Sequence, residues 1–346
     1  MSRSSPRGNS GWISRLWFAV EYNDQHSLRA LLAQGINVNH AFKEAGHRRH
    51  NQTPLFISVA KNNRELTNLL LNAGSDIEYA DSCGETVLFM AVRHGKMPMV
   101  RLLVNHGANI NHQNKKGESV LFDAVKFGRK DTLDYLLSVG ADTDLQNEDG
   151  ATPLLLALEL YDNTCRLRHV TTRRTAPSNL GDIISTLIPL CSDINHQHPN
   201  WGSPLRIALA VETNYFRDSL RLSKMLLQHG AIPDRLFFLR FGGLNASTSK
   251  PGSEFFTEKF FNLALAAGAS LQREKTWLIT VLAEMPQELA PYEQLFNDLL
   301  EKSMSPPSLQ NSCLIYIRKT LHGRLWLKID TLPLPETIKD CLKLKF

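Results

Sequence analysis

The sequence predicts an all-α protein, a stack of helix pairs followed by a small helical module. Two observations predict it. The segments TPLF at Thr53, TVLF at Thr86, SVLF at Ser119 and TPLL at Thr152 begin 33 residues apart, and a fixed period of this length marks a repeat array. Near residue 305 the period stops, and short apolar stretches punctuated by prolines take over. Composition agrees: the 346 residues are 42% hydrophobic, 21% charged and 8% aromatic, an ordinary globular mix for about two folding units.

Two further copies begin at Ser14-Arg15-Leu16 and Ser203-Pro204-Leu205. Two residues past each anchor stands a leucine: Leu16, Leu55, Leu88, Leu121, Leu154 and Leu205. Five past it stands a small residue: Ala19, Ser58, Ala91, Ala124, Ala157 and Ala208. Both face the neighbouring repeat, and the small one lets helices approach closely. The anchor Thr or Ser is suited to cap the helix by accepting an amide hydrogen bond. Pro54, Pro153 and Pro204 then take the first helical position, where a missing amide costs nothing. A second helix carries the apolar clusters Leu69–Leu71, Leu102–Val104 and Tyr135–Leu137. It ends at Gly35, Gly74, Gly107 or Gly140, a residue free to turn left-handed. Two residues on, Asn37, Asp76, Asn109, Asp142, Asp193 and Asp234 open a turn-rich connection. Repeat four is about 18 residues longer, with Cys191 in the glycine's place; repeat five is six longer and ends at Gly230.

This pattern resembles the ankyrin repeat over residues 12 to about 234. The histidine of that family's TPLH motif is replaced by Phe56, Phe89, Phe122, Leu155 and Arg206, and by Trp17 in the first copy. These copies exchange a turn-stabilising hydrogen bond for apolar contact. Residues 235–304 read as divergent or capping repeats, so the array runs over 12–304 behind a disordered leader, 1–11. Stacked helix pairs leave a long face that recognises proteins and carries no chemistry of its own. The resemblance implies binding through the turn tips and the first helix of each pair. That points to Tyr79, Asp81, Gln113, Asn114, Lys115, Asn147 and Glu148 as target contacts, with Phe89 and Phe122 if they are exposed.

The segment 305–346 is a second module. Pro306 and Pro307 break the preceding helix. Leu309, Cys313 and Ile317 lie four residues apart on one helix face, which Leu314 and Leu321 widen. A second apolar helix with Leu325, Leu327 and Ile329 follows, then the extended Leu332-Pro333-Leu334-Pro335, then a last helix from about Glu336. Such a short segment is too small for a secure core and must bury its stripe on something else. SLQNSCLIYIR followed by LPLP resembles a SOCS box, and ankyrin repeats followed by a SOCS box resemble the ankyrin repeat and SOCS box family. The resemblance implies that Leu309, Cys313, Leu314, Ile317 and Leu321 bind elongin B/C through elongin C. It implies that Leu332 to Pro335 select cullin five with its RING subunit. The chain would be the non-catalytic substrate receptor of a ubiquitin ligase, without metal or cofactor. The alternative is a plain repeat scaffold, with the tail capping the last repeat.

The rest of the sequence excludes more than it suggests. No run of 18 apolar residues is present, and the apolar stretch Trp12–Val20, broken by Ser14 and Arg15, makes a poor signal peptide. Five scattered cysteines without a CxxC pair argue against a disulfide framework or structural zinc and fit a reducing compartment, cytoplasm or nucleus. Of the net charge of +5, the tail from Pro306 carries +4, so no broad nucleic-acid surface is indicated. No nucleophile elbow, Walker motif or dinucleotide fingerprint appears. His47 and His50 read as a solvated loop, and Arg166, Arg168, Arg173 and Arg174 as a flexible excursion. His196 and His198 read as solvated turn residues, Cys83 as a turn tip and Cys191 as buried packing.

Overall fold

A computed structural model describes residues 10–42, 52–167, 179–210, 216–232 and the single residue 297. Among them the helices are α1 (Ser10–Glu21), α2 (Gln25–Ala33), α3 (Pro54–Ala60), α4 (Arg64–Asn72), α5 (Val87–Arg93), α6 (Met97–Asn105), α7 (Val120–Lys126), α8 (Lys130–Ser138), α9 (Pro153–Leu167), α10 (Leu180–Leu187), α11 (Pro204–Ala210) and α12 (Phe216–Gln228). No strand forms among the described residues; the pairs Phe42–Gln52 and His198–Gly202 are isolated bridges. The fold is all-α, built of stacked helix pairs. The chain divides into two compact units, Met1–Glu148 and Asp149–Phe346, described in turn.

In the first unit α1/α2, α3/α4, α5/α6 and α7/α8 are the pairs, and the first helices stack in the order α1, α3, α5, α7. A seven-residue helix such as α5 is too short to persist alone and is held by packing. The leucine and small-residue positions are buried in every copy, as the spacing requires. In the second helices the apolar clusters are not buried whole. Only the middle residue, Leu70, Leu103 or Leu136, is fully enclosed. Where Ser58 replaces alanine, its hydroxyl donates to the Leu55 carbonyl (2.9 Å) and accepts from Thr67 (3.0 Å), which removes the cost of burying it.

Helix starts differ from the expectation. Thr53, Thr86 and Ser119 sit at N-cap positions in extended conformation without a side-chain capping bond. The backbone substitutes for the hydroxyl: the amides of Phe89 and Phe122, third in their helices, donate to the Thr86 and Ser119 carbonyls at 3.1 and 3.0 Å. In the second unit Thr152 and Ser203 do accept from Leu155 and Arg206, at 3.4 and 3.2 Å. Copy one departs further. Its helix α1 begins before the anchor, at Ser10, so Ser10 and Gly11 of the expected disordered leader are helical.

Helix ends match the expectation. Gly35, Gly74, Gly107, Gly140 and Gly230 all have positive φ. The turn inside each pair of the first unit also needs one left-handed residue, supplied by Asn23, Asn62, Gly95 and Gly128. In the second unit α9 packs on α10 and α11, and α12 on α11 and α10. Part of the repeat-four insertion simply lengthens α9 to 15 residues. Cys191 follows a short 3₁₀ turn, Ile188–Leu190, in place of the glycine stop, and is buried. The expected repeats after 234, the basic insertion from Arg166 to Arg174, His47, His50 and the whole tail lie outside the residues whose side chains are described.

Candidate protein-binding site

The connections between helix pairs are built by side chains that bond their own backbone. Asn37, Asp76, Asn109, Asp142 and Asp193 each accept the amide two residues on, at 2.9 to 3.1 Å. The residue at that second position reaches into the following repeat. Asn39 accepts the Asp76 amide (2.7 Å) and donates to the Gly74 carbonyl (3.3 Å). Asn111 does the same to Asp142 and Gly140 (2.9 and 3.4 Å), and Asn195 to Ile232 and Gly230 (2.8 and 3.1 Å). Glu78 keeps only the acceptor half, to the Asn109 amide at 2.7 Å. These amide clamps were missed in the sequence, although the spelling Asn-Val-Asn, Asn-Ile-Asn, Asp-Ile-Asn was there to be read.

Beyond the clamps the chain turns at tips. Asp81 accepts the amides of Cys83 and Glu85 at 2.8 and 3.0 Å, and Asn114 those of Lys116 and Glu118 at 2.9 and 3.0 Å. Successive tips join through the backbone: Lys115 N–H donates to the Cys83 carbonyl (3.0 Å) and Glu148 N–H to the Lys116 carbonyl (2.8 Å). Gly84 has φ +77°, and a Cβ there would lie 2.8 Å from the Lys115 nitrogen, so the tips approach only because it is glycine. The Gln113 side chain donates to the Gly117 and Gln146 carbonyls at 2.6 and 2.9 Å.

Of the target contacts expected from the sequence, Gln113, Lys115 and Glu148 are exposed, on the tips the structure brings together. Tyr79, Asp81 and Asn147 are half-buried. Three are corrected. Phe89 and Phe122 are fully buried, because the stacked first helices enclose this position; Phe89 also lies edge-on beneath His112 at 6.3 Å, as Phe56 lies beneath Tyr79 at 6.2 Å. Asn114 is buried too, its side-chain oxygen occupied in the turn. His196 and His198 are likewise not solvated. His196 Nε2 donates to the Gly150 carbonyl (2.8 Å). The buried His198 accepts the Asn200 and Trp201 amides at its Nδ1 and stacks on the Trp201 ring. Cys83 is exposed as expected.

One charged cluster links two repeats. Arg93, on α5, bonds Glu85 at 2.6 Å and reaches across to Asp123 on α7 at 2.7 Å. In the next repeat Lys126 pairs with Glu118 at 2.5 Å in the equivalent way. Asp123 is 4% exposed, and burial pushes its carboxyl up to about 6, outweighing the attraction of Arg93. Burial works against the Arg93 charge, but the Glu85 and Asp123 carboxylates overcome it and hold the guanidinium above its ordinary value. Exposed rings gather instead at the end of α1, where Phe18 and, just past the helix, Tyr22 stack at 5.8 Å with the half-buried Trp17 edge-on to both. Among the described residues no helix is long and apolar enough to cross a membrane.

The comparisons with known proteins agree with this architecture. The ankyrin repeat family model matches residues 55–147 and the SOCS box family model matches residues 305–343. No curated protein matches the chain. Among solved structures, the crystal structure of an ankyrin repeat domain from Acinetobacter baumannii AYE superposes with a TM-score of 0.50 at 23% identity. The match covers 62% of this chain and 97% of that one, and shows a shared fold. Repeats followed by a SOCS box are the parts of a cullin-RING ligase substrate receptor, an adaptor whose SOCS box has elongin B/C and a cullin as its general partners. With ankyrin repeats and, after them, a SOCS box, the chain fits the description of the ankyrin repeat and SOCS box family.

Proposed function

We propose that this chain delivers one target protein to a ligase built on cullin five. The repeats hold the target, Leu309, Cys313, Leu314, Ile317 and Leu321 seat elongin C with its partner elongin B, and Leu332 to Pro335 select the cullin. The observation that carries the reading is the SOCS box match over 305–343 behind the repeats. Its support within that segment is the four-residue spacing of Leu309, Cys313 and Ile317, the spacing that one face of a helix requires. Transfer of ubiquitin falls to other subunits. This chain acts by proximity, raising the target's effective concentration at the charged conjugating enzyme. For the target, the exposed tip residues Gln113, Lys115 and Glu148 are the proposed contacts, with Tyr79, Asp81 and Asn147 at their margin.

The test is the Leu309→Ala variant. Losing one buried leucine at an interface costs about 2–3 kcal/mol, roughly 30- to 150-fold in affinity. Elongin B/C co-purification should disappear while the circular dichroism of the repeats is unchanged. A variant that still captures elongin at the wild-type level would defeat the reading and leave a plain repeat scaffold.

A further inference from the structure

We infer that the helix-turn edge of the two copies that begin at Thr86 and Ser119 docks an acidic segment of the target that carries an apolar anchor residue. The inference rests on reading the chain as a target-recognition subunit. It places a second contact at the far end of the first helices from the tips. The position eight past each anchor falls where a first helix ends, and in the first unit it is exposed in every copy: Tyr22, Lys61, His94 and Phe127. Phe127 is 43% exposed, although α7 fills its inward face with Val120, Leu121, Phe122, Ala124 and Val125. The Arg93 guanidinium lies 5.8 Å from the centre of its ring, and the part of the ring that stays open beside a finished core is available as an anchor.

The charges beside it are arranged to receive an anion. Arg129 donates Nε and Nη2 to the Arg93 carbonyl at 3.2 and 3.0 Å. This lays the guanidinium over Gly95, where a Cβ would stand 3.0 Å from it. Lys96 follows Gly95 directly in the chain. No carboxylate pairs with Arg129 or Lys96 among the described residues, whereas the neighbouring cations Lys61, Arg93 and Lys126 are all paired. Arg129 is thus held in place by a neutral carbonyl rather than by a carboxylate. A fixed guanidinium, an ammonium and an open ring recognise carboxylates next to an aromatic or aliphatic side chain. The paired cations around them keep the patch too small for a polyanion such as nucleic acid.

The full chain, expressed with elongin B and elongin C, is panned against a phage-displayed library of random peptides roughly twelve residues long, enough to cross several repeats. The expected result is enrichment of peptides that combine Asp or Glu with Phe, Tyr, Leu or Ile. Affinity of the best peptide should fall about tenfold or more in Lys96→Glu and in Phe127→Ala, and stay unchanged in Lys224→Glu, an exposed site in the other unit. Thermal unfolding reports whether each variant folds, and Lys96→Ala replaces the charge reversal if that one does not. No enrichment, enrichment of basic or uncharged peptides, or acidic peptides that bind both variants as well as wild type would each overturn the inference. Elongin capture is read on the same preparation, so failure of the ligase reading shows separately from failure of this surface.

Discussion

Asp123 shows how one repeat position can be turned to a special use. Its equivalents in neighbouring copies are Ile57 and Met90, apolar residues in the same buried place. A carboxylate there is tolerated because Arg93 crosses from the adjacent repeat to meet it. The attraction does not fully offset desolvation, and the carboxyl titrates near 6 in the fold against 3.8 in an open chain. A raised carboxyl favours the folded state only while protonated. Its contribution is therefore complete below pH 3.8 and is lost as the pH rises through about 6. The shift corresponds to about 2–3 kcal/mol across that window. Denaturant titrations of wild type and Asp123→Asn from pH 4 to pH 7 should show the variant gaining on wild type by this amount as pH rises. A constant difference would mean that Asp123 is not buried as described. Its burial was not legible in the sequence, since Asp is ordinarily a surface residue and its partner stands 30 residues away. The same limit hid Phe89 and Phe122: periodicity placed them on a first helix, but their enclosure depends on the neighbouring repeats and, for Phe89, on the distant His112 ring.

At the scale of the element, what the sequence spells locally came out as read. Leucine and small-residue positions, glycine stops and Asx turns each depend on a few adjacent residues, and each is where the spacing puts it. The anchor caps are the local exception, and what depends on the next repeat was not legible. The anchor hydroxyls of Thr86 and Ser119 lost the helix amide to their own backbone carbonyls, because the first turn is wound tighter than an ideal N-cap allows. The amide clamps went unread because their partners lie 29 to 37 residues on. They also explain why the repeats hold register without a sheet. Each clamp ties the end of one second helix to the connection before it, through one donor and one acceptor. Asn111→Ala removes both bonds to Gly140 and Asp142 and should cost about 1–2 kcal/mol in thermal unfolding, with faster hydrogen exchange at the Asp142 amide. Asn111→Asp keeps the acceptor, as Glu78 does one repeat earlier, and should lose less. Equal losses in the two variants would show that the carbonyl bond alone matters.

For the molecule as a whole, the question is whether the repeats and the tail stand apart energetically. In a repeat array, stability is close to a sum of intrinsic and nearest-neighbour terms, so a distant module adds little to copies it does not touch. The tail's sequence reads as an apolar stripe too short to close a core of its own, and such a stripe must be covered by something. If its own repeats cover it, the tail is a cap; if a partner covers it, the tail is a docking module. Deleting 305–346 separates the two. A docking module predicts a truncated chain that stays soluble, unfolds within a few degrees of the full chain and has lost elongin B/C entirely. A cap predicts aggregation, because removing it opens an apolar repeat face to water. The family matches favour the first outcome, since the repeat match and the SOCS box match are separate stretches, 55–147 and 305–343. Between them lies the second unit's described part, whose helices α9 to α12 pack on one another. The acidic-peptide surface then adds a stricter condition: the truncated chain should bind the selected peptide as the full chain does, because Lys96, Phe127 and Arg129 belong to the first unit. Loss of peptide binding on truncation, with the repeats still folded, would place that site partly on the tail and break the separation of roles.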